Sequence, residues 1–563
     1  MDESLSIFAS VESKSDRVKE QFKRYIENDF NMPKYLKLIF EGLTYLGIFL
    51  LIAISYFIVR NPSKIYIDFN NQVNGAVYHA IPITFIAIDV IYLLIQTYRK
   101  KLSFKTLLIS ILIIGLLTRL SYLYATQYDV RQNDTISINN DAHYDYALSY
   151  FLTGKLPNHH IHMDDIYQFY HPPLNAFICG MWMRIVEPFY LGIYNVTDPH
   201  IYFQSCGVIM TFCTFMTSIV IIKAIKLLKP SRNTFFLSAI FAMFFPRFIQ
   251  FSMQLNNDTI TLFFSTLACY YTLKWFIRQK DKNIFENKSE IAYDWLYILL
   301  SALFIGLAMM TKLAAATICL GIGFCMAWAF IRKCIKKEKK AIINMVGEFV
   351  VFLAICAPLG LWHQVYMHEN YGMPYLYVFD RLNSDLSVSD VNPFFRFFIP
   401  ISFHDIGNGL FASAFNDYNI FTYAVKTALY GEFTYNVGGQ MSFLLFVSAY
   451  LIIIFSLVNG IYRYVKTKHM NGYFELFSIS LFIGIIIMFL YSNISMPYGC
   501  TMDFRYIPTI VFPFTMTLCY NQEYMSSVNN EDRSLVLNIL NCGNTISVYT
   551  FAISSILFYL ICY

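Results

Sequence analysis

A bundle of membrane-spanning α-helices is the fold class this sequence predicts, and three observations carry the prediction. Of 563 residues, 56% are hydrophobic and 14% charged, with a mean hydropathy of +0.47; soluble domains carry about 25% charged residues. Apolar runs of spanning length, about 17–25 residues, recur along the whole chain. Aromatic residues reach 18%, with 43 Tyr and 54 Phe, which suits many membrane–water boundaries. The expectation is an all-α polytopic membrane protein of about 13 transmembrane helices, with interfacial helices and a large loop on its outer face. The net charge of +5 is spread over short loops, which fits the positive-inside bias and argues against nucleic-acid binding.

Residues 1–35 read as a polar cytoplasmic tail carrying Lys14, Arg17, Lys19, Lys23 and Arg24, and its charge excludes a cleavable signal. The first spans occupy 36–125, at 36–59, 80–98 and 104–125. A polar outer segment covers 126–200. The bundle over 201–363 holds runs at 201–226, 233–253, 259–277, 294–311, 313–332 and 343–363. A large outer loop, 364–440, precedes the C-terminal spans of 441–563, at 441–460, 473–491, 505–520 and 544–562.

Lys and Arg set the orientation. The basic loops 98–105, 223–232, 278–282, 332–340 and 462–469 fall on one side only if "LNAFICGMWMRIVEPFYL" (174–191) does not cross. That stretch holds Arg184 and Glu187, is barely long enough to span and ends at Pro188, so it reads as an amphipathic helix lying flat in the outer interface. Most of the twelve cysteines lie in apolar runs, none at zinc-finger or CxxC spacing, and read as small buried hydrophobes.

The outer side then collects the polar chemistry. Asp129 follows the third span. "NNDAHYDYALSYFLTGKLP" (139–157) predicts a surface helix with Asp141 as N-cap, stopped by Gly154 and Pro157. "QFYHPPL" (168–174) is a stiff corner, since proline restricts itself and its neighbour; it would fix Tyr170 and His171 over the membrane surface. "QLNND" (254–258) offers Asn256 and Asp258, which could also simply cap the next span. "YGCTMDFRY" (498–506) brings Arg505, and Lys312 lies at the end of another span. His159, His160, His162, Asp164 and Asp165 could ligate a divalent ion, but their spacing matches no zinc pattern, and a solvated cluster is the favoured reading. An interhelical ion pair is the simplest account of Asp89 and Arg119 within spans.

The ordered set "GKLP", "YHPPL", an outer N-x-D turn, "GLAMMTK" (306–312), "YGEF" (430–433) and "FRYIP" (504–508) resembles the GT-C superfamily of glycosyltransferases. The family-39-like members are the nearest likeness: protein O-mannosyltransferases, the lipid A aminoarabinose transferase and bacterial relatives. The resemblance runs from about residue 119 onward, leaving the first two spans outside it. It implies sugar transfer from a polyprenyl-phosphate donor to an acceptor hydroxyl at the outer face of a bacterial plasma membrane, with no cofactor expected. It further implies Asp129 as the carboxylate base, since the family's catalytic acid lies in the first outer loop, with Asp141 and Asp145 as rivals. Arg505 and Lys312 are then candidates for the carrier phosphate, and His171 for phosphate or acceptor. Membrane lipid is a necessary partner; whether the acceptor is protein, glycan or lipid stays open. A transporter or flippase is the alternative, but the ionisable groups gather at one face and the halves of the chain do not match.

Overall fold

The computed structural model describes residues 34–60, 75–136, 142–157, 168–280, 288–375, 386–436, 439–467, 472–528 and 534–561. Among these residues there is no β-strand, only an isolated bridge between Ser387 and Tyr498. The long helices are α1 (Lys34–Val59), α2 (Gly75–Tyr98), α3 (Phe104–Ala125), α7 (Gly207–Leu227), α10 (Asn257–Arg278), α11 (Lys288–Thr311), α12 (Thr317–Ile335), α13 (Lys339–Tyr371), α17 (Gly439–Thr467), α18 (Tyr473–Ser495), α19 (Val511–Ser527) and α20 (Leu535–Ile561). Shorter ones are α4 (His143–Thr153), α5 (Leu174–Phe189), α6 (Pro199–Gln204), α8 (Arg232–Met243), α9 (Pro246–Gln250), α14 (Pro393–Phe397), α15 (Phe403–Gly407) and α16 (Ile420–Tyr430).

Contacts between helix ends sort the bundle into two sides. At the basic end, Lys223 pairs with Glu41, Glu523 accepts from Ser231 N, Tyr473 donates to Gln279 O, and Arg463 pairs with Glu475. At the opposite, loop-rich end, Arg60 donates to Tyr124 O, Lys312 meets Asp258, and Tyr559 donates to Leu429 O. The chain therefore alternates as the basic loops predicted. Among the described residues twelve helices are long and apolar enough to cross a membrane, or thirteen if α8 and α9–Met253 form one span bent by 47°. The bend falls at Pro246, which lacks the N–H needed to continue the ladder.

One of the twelve is Leu174–Tyr194, the stretch expected to lie flat. Both its ends sit at the loop-rich end. Its start follows His171, which stacks on His143, and its far end donates from Tyr194 Oη to Phe57 O near the end of α1. Both ends on one side of the bundle is the arrangement expected of a helix lying flat. With α19 (17 residues) as a span instead, the bundle has about thirteen crossings.

Three expectations need correction. The last-but-one span does not start at 505: residues 499–510 form successive 3₁₀ turns and the helix begins at Val511. Pro188 lies inside α5, and the ladder widens after it into a π turn over Tyr190–Tyr194. Asp89 and Arg119 do not pair with each other. Asp89 accepts from Ser110 at 3.1 Å, whereas the two terminal nitrogens of Arg119 donate to Gly115 O and Ser218, so a carbonyl and a hydroxyl, not a carboxylate, meet its guanidinium inside the bundle.

Of the 364–440 loop, residues 364–371 continue α13, and the described residues 386–436 form a packed cap. α16 is anchored by Lys426, whose Nζ lies 2.9 Å from Asp417 Oδ2 with both side chains fully buried and 2.5 Å from Asp405 O. Asn419 caps α16 and also donates to Phe395 O and Ile399 O, tying α14 to it.

Candidate active site

The site is assembled by the loop that follows α3. Gln132 donates to Met253 O at 2.6 Å and accepts from Leu255 N at 2.9 Å. Asn133 accepts from Gln254 and donates to Glu432 Oε2 at 3.0 Å. These bonds clamp the loop to the turn between α9 and α10. Asp134 then adopts φ 56°, a left-handed conformation that Asp tolerates better than most residues. Its carbonyl accepts from His143 N, and Thr135 O accepts from Tyr144 N, so the start of α4 holds it from the other side. The Asp134 carboxylate is thereby delivered to Arg505, Nη1 to Oδ2 at 3.1 Å.

Arg505 is itself set by a carboxylate. Asp503 Oδ1 accepts from Arg505 N at 2.9 Å, capping the 3₁₀ turn Phe504–Tyr506. Its Oδ2 lies 3.6 Å from Arg505 Nε and 3.5 Å from Arg247 Nη2. Arg247 is fully buried at the α8–α9 break and also donates to Gln250. Gly431 of "YGEF" passes directly against both side chains with φ +66°, where a Cβ would overlap Arg247 and Gln250; only glycine fits there.

Lys312 follows the last turn of α11. Its Nζ lies 2.5 Å from Asp258 Oδ1 and 4.6 Å from the Tyr506 ring centroid. Asn256 caps α10 by accepting from Asp258 N, and its Nδ2 donates to Asp258 Oδ2 at 3.0 Å. Asn256 thus both caps the helix and orients the acid. Asp258, Lys312, Arg505 and Tyr506 line a small cavity whose remaining wall mixes hydroxyl side chains, among them Thr261 and Ser265, with apolar ones, among them Leu262 and Ile485.

Two histidines close one flank. His143 and His171 stack with centroids 5.8 Å apart and planes 12° from parallel. Burial pushes His143 down to about 4, with Lys312 and Arg505 acting in the same direction against Asp134 and Asp258. Burial, Lys312, His143 and Arg505 hold His171 well below the usual histidine range. Both are therefore neutral at pH 7, able to donate from one ring nitrogen and accept on the other. Burial and Asp503 raise Glu432 to about 7, against the opposing Arg505 charge and the Tyr423 hydroxyl at 2.7 Å.

The proline corner is built as a bracket. Tyr146 donates to His171 O and packs on Phe169, Tyr170 lies over His171 at 4.1 Å, and Phe169 and Tyr170 pack against Met367 and Met373 at the end of α13. α4 ends at Gly154, φ 69°, as expected, and Arg184 of α5 donates to Phe151 O there.

Of the residues singled out in the sequence, Arg505, Lys312, Asp258, Asn256, His171 and Tyr170 come together. Asp129 does not join them: it is exposed in the turn after α3, and among the described residues no hydrogen bond or ion pair ties it to Arg505. Asp145 accepts from Ala142 N at 3.0 Å at the start of α4. Ala142 is the N-cap of that helix; Asp141 lies outside the described residues, as do His159, His160, His162, Asp164 and Asp165. Among the described residues no group of three or more His, Cys, Asp or Glu is placed to hold a metal ion. Sequence reasoning missed Asp134, His143, Arg247, Glu432 and Asp503. Asp503 and Glu432 stood inside quoted motifs, and Arg247, an arginine next to a proline within an apolar run, was visible as an intramembrane charge.

Fold and site together define a polytopic all-α membrane protein with a buried, charged centre where the bundle meets its loop-rich cap. The model of the family described as dolichyl-phosphate-mannose-protein mannosyltransferase matches residues 166–367. This is a GT-C family, and the match agrees with the GT-C likeness carried by the motifs. It spans the QFYHPPL corner, Asp258 and Lys312, while Asp134, Glu432 and Arg505 lie beyond its limits. No curated protein matches the chain.

Proposed function

We propose that the protein transfers a sugar from a polyprenyl-phosphate donor to an acceptor hydroxyl by direct displacement, with inversion at C1, on the extracytoplasmic side of the membrane. The observation that carries this reading is the meeting of Asp134, Arg505, Lys312 and Asp258 at the loop-rich end of an apolar helix bundle, where the last three also line a small cavity. A donor of this class has a lipid-soluble tail and a water-soluble head, so its reacting carbon must sit at such a boundary. The family match to a mannosyltransferase acting from dolichyl phosphate supports the same chemistry.

Asp134 is the base in this reading, in place of Asp129. It removes the acceptor's proton as that oxygen attacks C1. The C1–O bond to phosphate breaks, its electron pair leaves on the carrier phosphate, and Arg505 and Lys312 stabilise the developing charge. C1 passes through an oxocarbenium-like state. The neutral His143–His171 pair is positioned to hydrogen-bond the sugar or acceptor without adding charge. The basic end then faces the cytoplasm. Purified protein supplied with a panel of polyprenyl-phosphate sugars tests the proposal. Release of free polyprenyl phosphate coupled to acceptor glycosylation, lost in Asp134→Asn, is expected. Absence of turnover with every donor would overturn it.

A further inference from the structure

We infer that residues 393–403 form an aromatic foot that inserts into the outer leaflet beside α18, so that the cap rests on lipid rather than standing in water. The segment contains Phe394, Phe395, Phe398 and Phe403, which are 59%, 47%, 72% and 82% exposed. Four largely bare phenylalanines within ten residues are far more than scattered surface apolar residues require. The one charged side chain between 391 and 403 is Arg396, and it is buried, so the exposed face carries no charge at all.

What covers this face follows from where it sits. Arg396 donates to Asn493 O at 2.8 Å, and Val388 N donates to Pro497 O at 2.8 Å. Both bonds pin the segment to the loop-rich end of α18. That helix, a candidate span, exposes Ile483, Ile487, Tyr491 and Ile494, which at spacings of four, four and three share one face. This stripe ends at Ile494, one residue from the Asn493 carbonyl that holds Arg396, so the phenylalanine segment is tied to the chain where the exposed apolar stripe ends. The backbone suits the headgroup layer. α14 and α15 are single turns, but Asn419 donates to Phe395 O and Ile399 O, and Ser402 caps α15. Polar Asp390 and His404 flank the foot on its exposed edges, where water begins. An aromatic surface with polar margins at the level of the helix ends is the pattern of interfacial anchoring.

Single substitutions Phe398→Trp and Phe403→Trp, each read as the difference from wild-type fluorescence in proteoliposomes, test this. Lipids brominated in the upper acyl chain are expected to quench the added tryptophan as strongly as they quench an Ile487→Trp control, with little quenching by iodide on either side. Quenching by iodide and not by brominated lipid would put the foot in water, free for an acceptor protein, and overturn the inference. Shielding from both quenchers would point to a second copy covering it, with the same consequence. The two positions are independent and exposed, so failure of one variant to fold leaves the other decisive. The measurement needs no turnover and so stands apart from the proposed reaction.

Discussion

Replacing Lys312 by Met should destabilise the protein strongly, and the reason can be worked from its partner. The ammonium lies 2.5 Å from Asp258 Oδ1, with 9% and 1% of the two side chains exposed. Without it Asp258 keeps the Asn256 amide at 3.0 Å but loses its contacting cation. Stranding one member of a buried pair costs about 3–5 kcal/mol. Removing both members, as Lys312→Met with Asp258→Asn, leaves two neutral groups of similar volume and should restore most of that loss. The cycle is read from equilibrium unfolding in mixed micelles of increasing denaturing detergent, for wild type, both single variants and the double. Additive losses, with the double variant as unstable as the two singles combined, would refute the claim that the pair is held by mutual compensation.

Asp134→Asn should lower kcat by about 10²–10⁴, the range for loss of a general base, and lower KM for the donor, whereas Asp129→Asn should leave steady-state turnover with a polyprenyl-phosphate sugar unchanged. Gly431→Ala forces a side chain into a left-handed φ of +66° against Arg247 and Gln250; a loss of about 1–3 kcal/mol is expected in the same unfolding assay. Glu432 gives a pH signature. Its folded carboxyl titrates at about 7 against 4.5, so between those values the folded state keeps a proton that the unfolded chain releases. Its stabilising contribution is full below about 4.5 and is lost as pH rises through about 7; comparing unfolding midpoints at pH 5 and pH 8 should show the decline, and Glu432→Gln should flatten it.

The bundle was legible because its cause is one-dimensional. Length and hydropathy mark a span, and the distribution of Lys and Arg predicts its direction. The site was less legible, because it depends on which of several polar loop residues the packing selects. Asp129 and Asp134 are both carboxylates just past α3. What separates them is that Gln132 and Asn133 are clamped to residues 253–255 and Glu432, contacts between 121 and 299 positions apart in sequence. Nothing local to "YDVRQND" signals that clamp. His143 reads as one more polar residue after Asp141 until α4 and the proline corner stack it on His171. Arg505, Lys312 and Asp258 were legible because each is a charge beside an apolar run on the side opposite the basic loops.

The balance of charge in the site suggests how donor binding and base activation become one event. Asp134, Asp258, Asp503 and Glu432 face Arg247, Lys312 and Arg505, and the histidines are neutral. Around pH 7 Glu432 still holds part of its proton, so the remaining acids and the cations nearly cancel. On the proposed reading, an anionic donor phosphate would bind by taking a cation from its present partner. The exchange is asymmetric. Asp258 is 1% exposed, and its release would strand it, whereas Asp134 is 29% exposed and can turn to water. In the proposed reaction Arg505 would therefore be the cation that trades, and Asp134, once released, would lose the charge that weakens it as a base. This is why Asp134→Asn should tighten donor binding while slowing turnover: it removes a competitor for Arg505 together with the base. A rise in KM would instead mean that Asp134 holds substrate, and the coupling would fail.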